Sequence, residues 1–222
     1  MVQLVLIAFI VFGLTTFFRR LSDFNTLISV AIGAAINANI FTAAKMPVCF
    51  GGFVFGIDSI LYTLFMFTVV FMAVDHSPKD AENMSISTVV AIIISAFIEV
   101  LANWYYGTLD YGTIQNFINF IISSIATAVG IYCLLGVYSK LVARKVNIYF
   151  TIFICVMIGN VVNSTLYYSG IQLNGVKLDS GFIPLIAGSY IGKIFCMNLG
   201  LLSYFSFHNL GGKSNRKRKK DS

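Results

Sequence analysis

Charge is the scarcest commodity in this chain. Only 11% of its 222 residues are Asp, Glu, Lys or Arg, against about 25% in soluble domains. With 58% hydrophobic residues and a mean hydropathy of +0.85, a water-soluble globular domain is excluded. Histidine is nearly absent too: His76 and His208 lie in distant parts of the chain. The four cysteines (Cys49, Cys133, Cys155, Cys196) are scattered with no CxxC spacing, so neither a metal site nor a redox pair is suggested. Buried membrane cysteines behave as small hydrophobes. There is no P-loop, so ATP hydrolysis would need a partner, and no serine–histidine arrangement suits acyl transfer. Enzymatic activity is the weaker expectation, and no cofactor is implied.

What the chain has instead is length in apolar runs. About 20 residues cross roughly 30 Å of hydrocarbon, and the sequence divides into seven candidate spans near Val2–Phe18, Thr26–Ala44, Phe53–Val74, Ile86–Tyr106, Ile114–Tyr138, Val146–Tyr168 and Phe182–Phe207. The expected fold class is an all-α polytopic membrane protein. Residues 1–210 form the transmembrane domain, and Gly211–Ser222 form a flexible basic tail.

Short cytoplasmic loops retain Lys and Arg. Arg19 and Arg20 follow the first span, Lys140, Arg144 and Lys145 the fifth, and Lys213, Arg216, Lys217, Arg218, Lys219 and Lys220 the seventh. These clusters share a side only if an even number of spans separates them. The reading is N-terminus outside and C-terminus inside, with Asp75–Glu82 as an inner loop. The first span lacks a basic n-region and has its arginines after it, so it reads as a retained reverse anchor rather than a cleaved signal. Directly after a last span, the tail reads as an orientation signal and a binder of anionic lipid, not of nucleic acid.

Depth then sorts the polar residues. Asn37, Asn39 and Lys45 fall in the outer half of their span, and Asp58 near the outer start of the next. Glu99, Asn103, Asn116 and Asn119 are also in outer segments, as are Asn160, Asn163, Ser164 and Thr165. Lys193 lies about 16 Å along its helix from Phe182. A charge near the bilayer centre costs at least about 2.5–3.5 kcal/mol on insertion scales. Lys45 and Asp58 can snorkel to the outer headgroups. Glu99 and Lys193 are too deep for that, and a buried pair or a ligand contact is expected. Asn160, Asn163 and Ser164 share one helical face, although asparagines also serve simply as interhelical glue. Trp104, Tyr105, Tyr106, Tyr111, Tyr167 and Tyr168 read as an outer aromatic belt, with Trp104 beside Asn103 as a stacking platform for a flat ligand. Ala31/Ala35, Ala34/Ala38, Gly52/Gly56 and Gly188/Gly192 have the small-xxx-small interval of close helix packing. It serves internal packing, or a docking face on the second span for another membrane subunit or a second copy of the chain.

Asn39-Ile40, Lys45, Phe50-Gly51-Gly52 and Gly56-Ile57-Asp58 resemble the early motif of the vitamin uptake transporter family, bacterial importers of queuosine precursors. Gly159-Asn160-x-x-Asn163-Ser164, Tyr167-Tyr168-Ser169-Gly170 and Ser189-Tyr190-x-x-Lys193 are similar to its second signature. Two departures stand out. Leu61-Tyr62-Thr63 replaces the acidic residue and Tyr-Gly that follow the first Asp, and Asn163 replaces an Asp of the second motif. The resemblance implies import of a deazapurine-like or vitamin-like heterocycle at a cell membrane. Asn39, Asp58, Glu99, Asn103, Asn160, Asn163, Ser164 and Lys193 are the candidate substrate-binding residues. A carboxylate can accept two hydrogen bonds from a guanine-like edge, while Asn both donates and accepts. Substrate-binding subunits of energy-coupling factor transporters are a near neighbour. The alternative is a membrane scaffold subunit whose polar residues are only glue.

The topology is directly testable. A reporter fused after Ser222 is expected to be active in the cytoplasm, and a tag before Val2 to be reachable from outside; a cytoplasmic N-terminus overturns the seven-span count.

Overall fold

The computed structural model describes residues 24–43, 47–50, 53–56, 58–174 and 182–209. Its elements in chain order are α1 (Phe24–Ala43), β1 (Pro47–Phe50), β2 (Phe53–Gly56), α2 (Asp58–Asp75), α3 (Pro78–Tyr105), α4 (Tyr111–Ala143), α5 (Ile148–Leu173) and α6 (Phe182–Asn209). Four helices, α2 to α5, are each long and apolar enough to cross a membrane. Shorter apolar stretches, Leu27–Ala38 and Ile186–Leu202, lie in α1 and α6. The fold is that of a helical membrane protein. The first expected span, Val2–Phe18, lies outside the described residues, as do the tail and Lys45.

α2 is the axis of the bundle. It is apolar on every side, as a buried helix must be, and 78% of it is buried. Phe65, Met66, Phe67, Val69, Val70 and Met72 form its packed surface. Helices α1, α3, α4, α5 and α6 all touch it. By contrast only 28% of the apolar 18-residue stretch of α3 is buried, and Ile86, Val90, Ile94, Phe97, Ile98 and Leu101 project outward from the helix. An apolar surface of that length is what lipid covers.

Two expected boundaries shift. The span Phe53–Val74 does not begin as helix: Phe53–Gly56 is a strand, paired antiparallel with Pro47–Phe50. The register sets Phe50 opposite Phe53, so only two residues, Gly51 and Gly52, separate the strands. β2 packs against α6, and α2 is left the shortest of the described helices. The Asp75–Glu82 loop shrinks to a turn, because Ser77 caps α3. Its Oγ accepts from the Asp80 amide (3.1 Å), with Pro78 in the first turn where no amide donor is needed. At the other end of α3, Gly107 takes a left-handed φ of 67°. Asp110 then caps α4 by accepting from the Thr113 amide (2.7 Å), and these bonds hold its carboxyl below the ordinary value.

The small residues pack inward. Ala31, Ala34, Ala35 and Ala38 are all buried within this chain, so of the two uses expected for this stripe, internal packing and a docking face, the structure shows internal packing of α1. The tightest approach is between α4 and α5. A Cβ on Gly130 would lie 2.9 Å from the Gly159 carbonyl oxygen and 3.3 Å from the Asn163 Cβ. A backbone oxygen cannot swing aside. Gly130→Ala is therefore expected to destabilise the bundle by about 1–3 kcal/mol. Gly136, whose added Cβ meets nothing within 4 Å, should gain up to about 1 kcal/mol on change to Ala. Thermal unfolding of the two variants in detergent checks the contrast, and equal effects would refute the close α4–α5 packing.

Candidate functional site

α2 begins, α4 begins, α5 ends and α6 begins at one end of the bundle, and the polar residues run from Asp58 at the start of α2 to Thr127, Asn163, Ser164 and Lys193 several turns inside the other three helices. Lys193 is the centre of the set. Only 5% of its surface is exposed, and its Nζ donates to Ser164 Oγ (2.7 Å) and Asn163 Oδ1 (3.3 Å) on α5. It also sits 5.3 Å from the Tyr62 ring centroid on α2, a cation–π distance. Asn163 in turn donates from Nδ2 to Thr127 Oγ1 on α4 (2.9 Å). The Tyr62 hydroxyl shares a short hydrogen bond with Ser123 of α4. Four helices are thus linked through one ammonium group.

Asp58, the first residue of α2, lines the same cavity with Tyr167, Tyr168 and Ser189. Its charge acts on Lys193, and the helix N-terminus favours a carboxylate there. The Tyr168 hydroxyl hydrogen-bonds Ser189. The cavity volume is about 20 Å³. That is room for about one water, which needs about 10–15 Å³.

The candidate residues therefore divide. Asp58, Asn163, Ser164 and Lys193 come together. Asn160, one turn away on the same face of α5, is 4% exposed, and neither its amide nitrogen nor its oxygen has a partner among the described residues. It does not line the cavity. Glu99 and Asn103 lie elsewhere. Glu99 is on the outward face of α3 beside Ile98. The expected Glu99–Lys193 pair is not formed, because the two project from different sides of the bundle, and the carboxylate that acts on Lys193 is Asp58. Asn103 is occupied with local structure: Nδ2 donates to the Glu99 carbonyl (2.9 Å), and Oδ1 accepts from Thr108 (2.9 Å). Trp104, Tyr105, Tyr106 and Tyr111 are exposed around that turn, as a belt would be. Tyr167 and Tyr168, grouped with them by depth, instead face the cavity. The Asn39 side chain lies outside the described residues. Of the candidates Glu99, Asn160 and Lys193, only Lys193 lines this cavity.

Sequence reading missed Tyr62, Ser123 and Thr127. A hydroxyl on an apolar helix carries little signal, since it often bonds its own backbone: Thr63 and Ser124 do so here. Among the described residues no group of His, Cys, Asp and Glu could hold a metal ion. Comparison with protein-family models, with characterised proteins and with solved structures finds no match. The resemblance to vitamin uptake transporters accordingly rests on the motif residues alone.

The electrostatic contact between Asp58 and Lys193 yields a double-mutant test. Asp58→Asn removes the carboxylate whose charge acts on the buried Lys193 ammonium; breaking a fully buried pair typically costs about 3–5 kcal/mol, and a smaller loss is expected here because Asp58 is half-buried. Adding Lys193→Met should return part of that loss. Glu99→Gln combined with Lys193→Met should be additive. Unfolding midpoints of the five variants decide between the partners, and coupling at Glu99 rather than Asp58 would reverse the assignment.

Proposed function

We propose that the chain is a small-molecule importer of a cell membrane, with seven spans, an external N-terminus and a cytoplasmic C-terminus. Its substrate site is the polar set around Lys193. One observation carries the reading: an ammonium group buried among Asn163, Ser164 and Tyr62, beside Asp58, in apolar helices. Intramembrane ionisable groups are expensive and mark substrate or ion pathways by default. The donors and acceptors suit a flat heterocycle of the deazapurine or vitamin-precursor type. The ammonium and Asn163 Nδ2 would meet its acceptor atoms, Asp58 its amidine edge, and the tyrosines its face.

Binding sites for such ligands run about 300–1,000 Å³, so this state of the site is closed. Admission of a heterocycle requires α6 to move from α5, exchanging the Lys193 bonds for bonds to the ligand. The small cavity also favours a second reading, a membrane interaction subunit in which Lys193, Asn163 and Tyr62 only tie helices together.

Uptake of labelled nucleobase and vitamin precursors by cells expressing the chain distinguishes the two. The importer reading expects accumulation of at least one compound, reduced at least tenfold by Ser164→Ala combined with Asn163→Ala at equal protein level. It further expects Asn163→Cys to react with an impermeant thiol reagent applied outside, more slowly when that compound is present. No uptake across the panel, with no ligand-dependent labelling, favours the interaction subunit.

A further inference from the structure

Away from Lys193, a groove of about 830 Å³ runs along the outer surface between α3 and α4. It is forty times the volume of the polar cavity and has a different character. On α3 it is lined from Pro78 to Val90, and on α4 from Ala128 to Lys140. Each stretch is about 18 Å long at 1.5 Å per residue, close to one leaflet's half of a roughly 30 Å hydrocarbon core. The lining changes along that length. Val89, Val90, Ile131 and Tyr132 form the deep part. Lys79, Glu82, Ser139 and Lys140 form the mouth, at the end of the bundle where α2 turns into α3 and α4 into α5. Lys79 and Lys140 are both exposed, and Arg144 and Lys145 follow within about one turn of Lys140.

We propose that this groove is a binding site for one anionic phospholipid, an acyl chain lying between α3 and α4 and the phosphate between Lys79 and Lys140. The charge distribution selects this occupant. Two ammonium groups flank the mouth of a slot that beyond Glu82, Ser85 and Ser139 is lined by Ile86, Val89, Val90, Ile131 and Leu135, a division that matches a lipid and not a peptide or a soluble anion. Glu82 at the mouth lowers the attraction without reversing it, and it also disfavours a free polyanion that would have to approach it closely. Gly136 gives the slot its width on the α4 side: a Cβ there meets nothing within 4 Å. A lipid also resolves what the exposed α3 face leaves open. Val90 and Tyr132 project from the helices into the groove rather than against other protein, and hydrocarbon is the medium that covers them. This site does not depend on the transport reading, since it shares no residue with the Lys193 cluster.

The only tryptophan is Trp104, which permits a local probe. In a Trp104→Phe background, Tyr132→Trp places one fluorophore in the groove. The protein is reconstituted with dioleoyl phosphatidylcholine, and either brominated phosphatidylglycerol or brominated phosphatidylcholine is titrated in. Phosphatidylglycerol is expected to quench at several-fold lower mole fraction, about fivefold for each lysine engaged, with the preference shrinking as salt rises. Lys79→Gln with Lys140→Gln should equalise the two lipids. Gly136→Leu should fill the slot and reduce quenching by phosphatidylglycerol with no change in fold. Replacing the six basic residues of Gly211–Ser222 by Gln should leave the preference intact. Equal quenching by both lipids overturns the site. So does a preference that disappears with the tail charges, a Gly136→Leu variant quenched as before, or a fluorophore shielded from both lipids by a second copy of the chain.

Discussion

Everything at the polar end of this bundle follows from keeping one ammonium group out of water. Two of the three Lys193 donors are met by Ser164 and Asn163, and the Tyr62 ring lies against the group. Each acceptor is then constrained in turn. Asn163 can present Oδ1 to Lys193 only because its Nδ2 is taken by Thr127, which fixes the amide orientation. Tyr62 is fixed by Ser123. In hydrocarbon an unmet polar group costs several kcal/mol, so the network holds its four helices in register more firmly than the same bonds would in water. A single lysine thereby sets the relative height of α2, α4, α5 and α6.

That register requires close backbones. Thr127 and Asn163 have short side chains, and they meet because Gly130 and Gly159 let α4 and α5 approach until a Cβ would touch a carbonyl oxygen. A lysine reaching from α6 spans the remaining gap with its long stem. Small residues at one level of the bundle and the polar bonds at the next are therefore one device. The same economy explains α2. Because Phe53–Gly56 is a strand packed on α6, α2 begins only at Asp58. Its first residue, Asp58, and its helix N-terminus are thereby delivered to the level of Lys193.

Helices α2 to α5 were legible in the apolar runs, since each is long and apolar enough to cross a bilayer. The hairpin was not, although its signal was present. Val48-Cys49-Phe50 and Phe53-Val54-Phe55 are strand-forming runs separated by Gly51-Gly52, the spacing of a two-residue hairpin. An uninterrupted apolar run from Phe53 into α2 made a single long helix the simpler reading. The site was legible in part, and the division has a physical basis. Sequence position orders residues along each helix, and Lys193, Asn163, Ser164 and Asp58, all expected on the outer side, line one cavity in the structure. It does not give azimuth when a helix is apolar on every face. Glu99 has a comparable height but points away from the bundle on α3. An acid and a base at equal depth are partners only if their helices turn them toward each other.

The contrast between the two openings in this protein bears on how it could move. The polar cavity is closed down to the size of about one water, while the groove between α3 and α4 stays open for most of a leaflet. Polar groups in a membrane must satisfy one another whenever no ligand does, so a charged site collapses onto itself at rest. An apolar groove has no such demand, because lipid tails solvate it as well as leucine would. On the transporter reading, the element able to part is α6, since its polar hold on α5 at this level is the Lys193 pair of bonds together with Thr165–Tyr190 (2.7 Å) and Tyr168–Ser189. Helices α4 and α5, locked by glycine contacts, would stay together. A ligand able to replace the Ser164 and Asn163 bonds would lower the cost of that separation, and one without acceptor atoms would not.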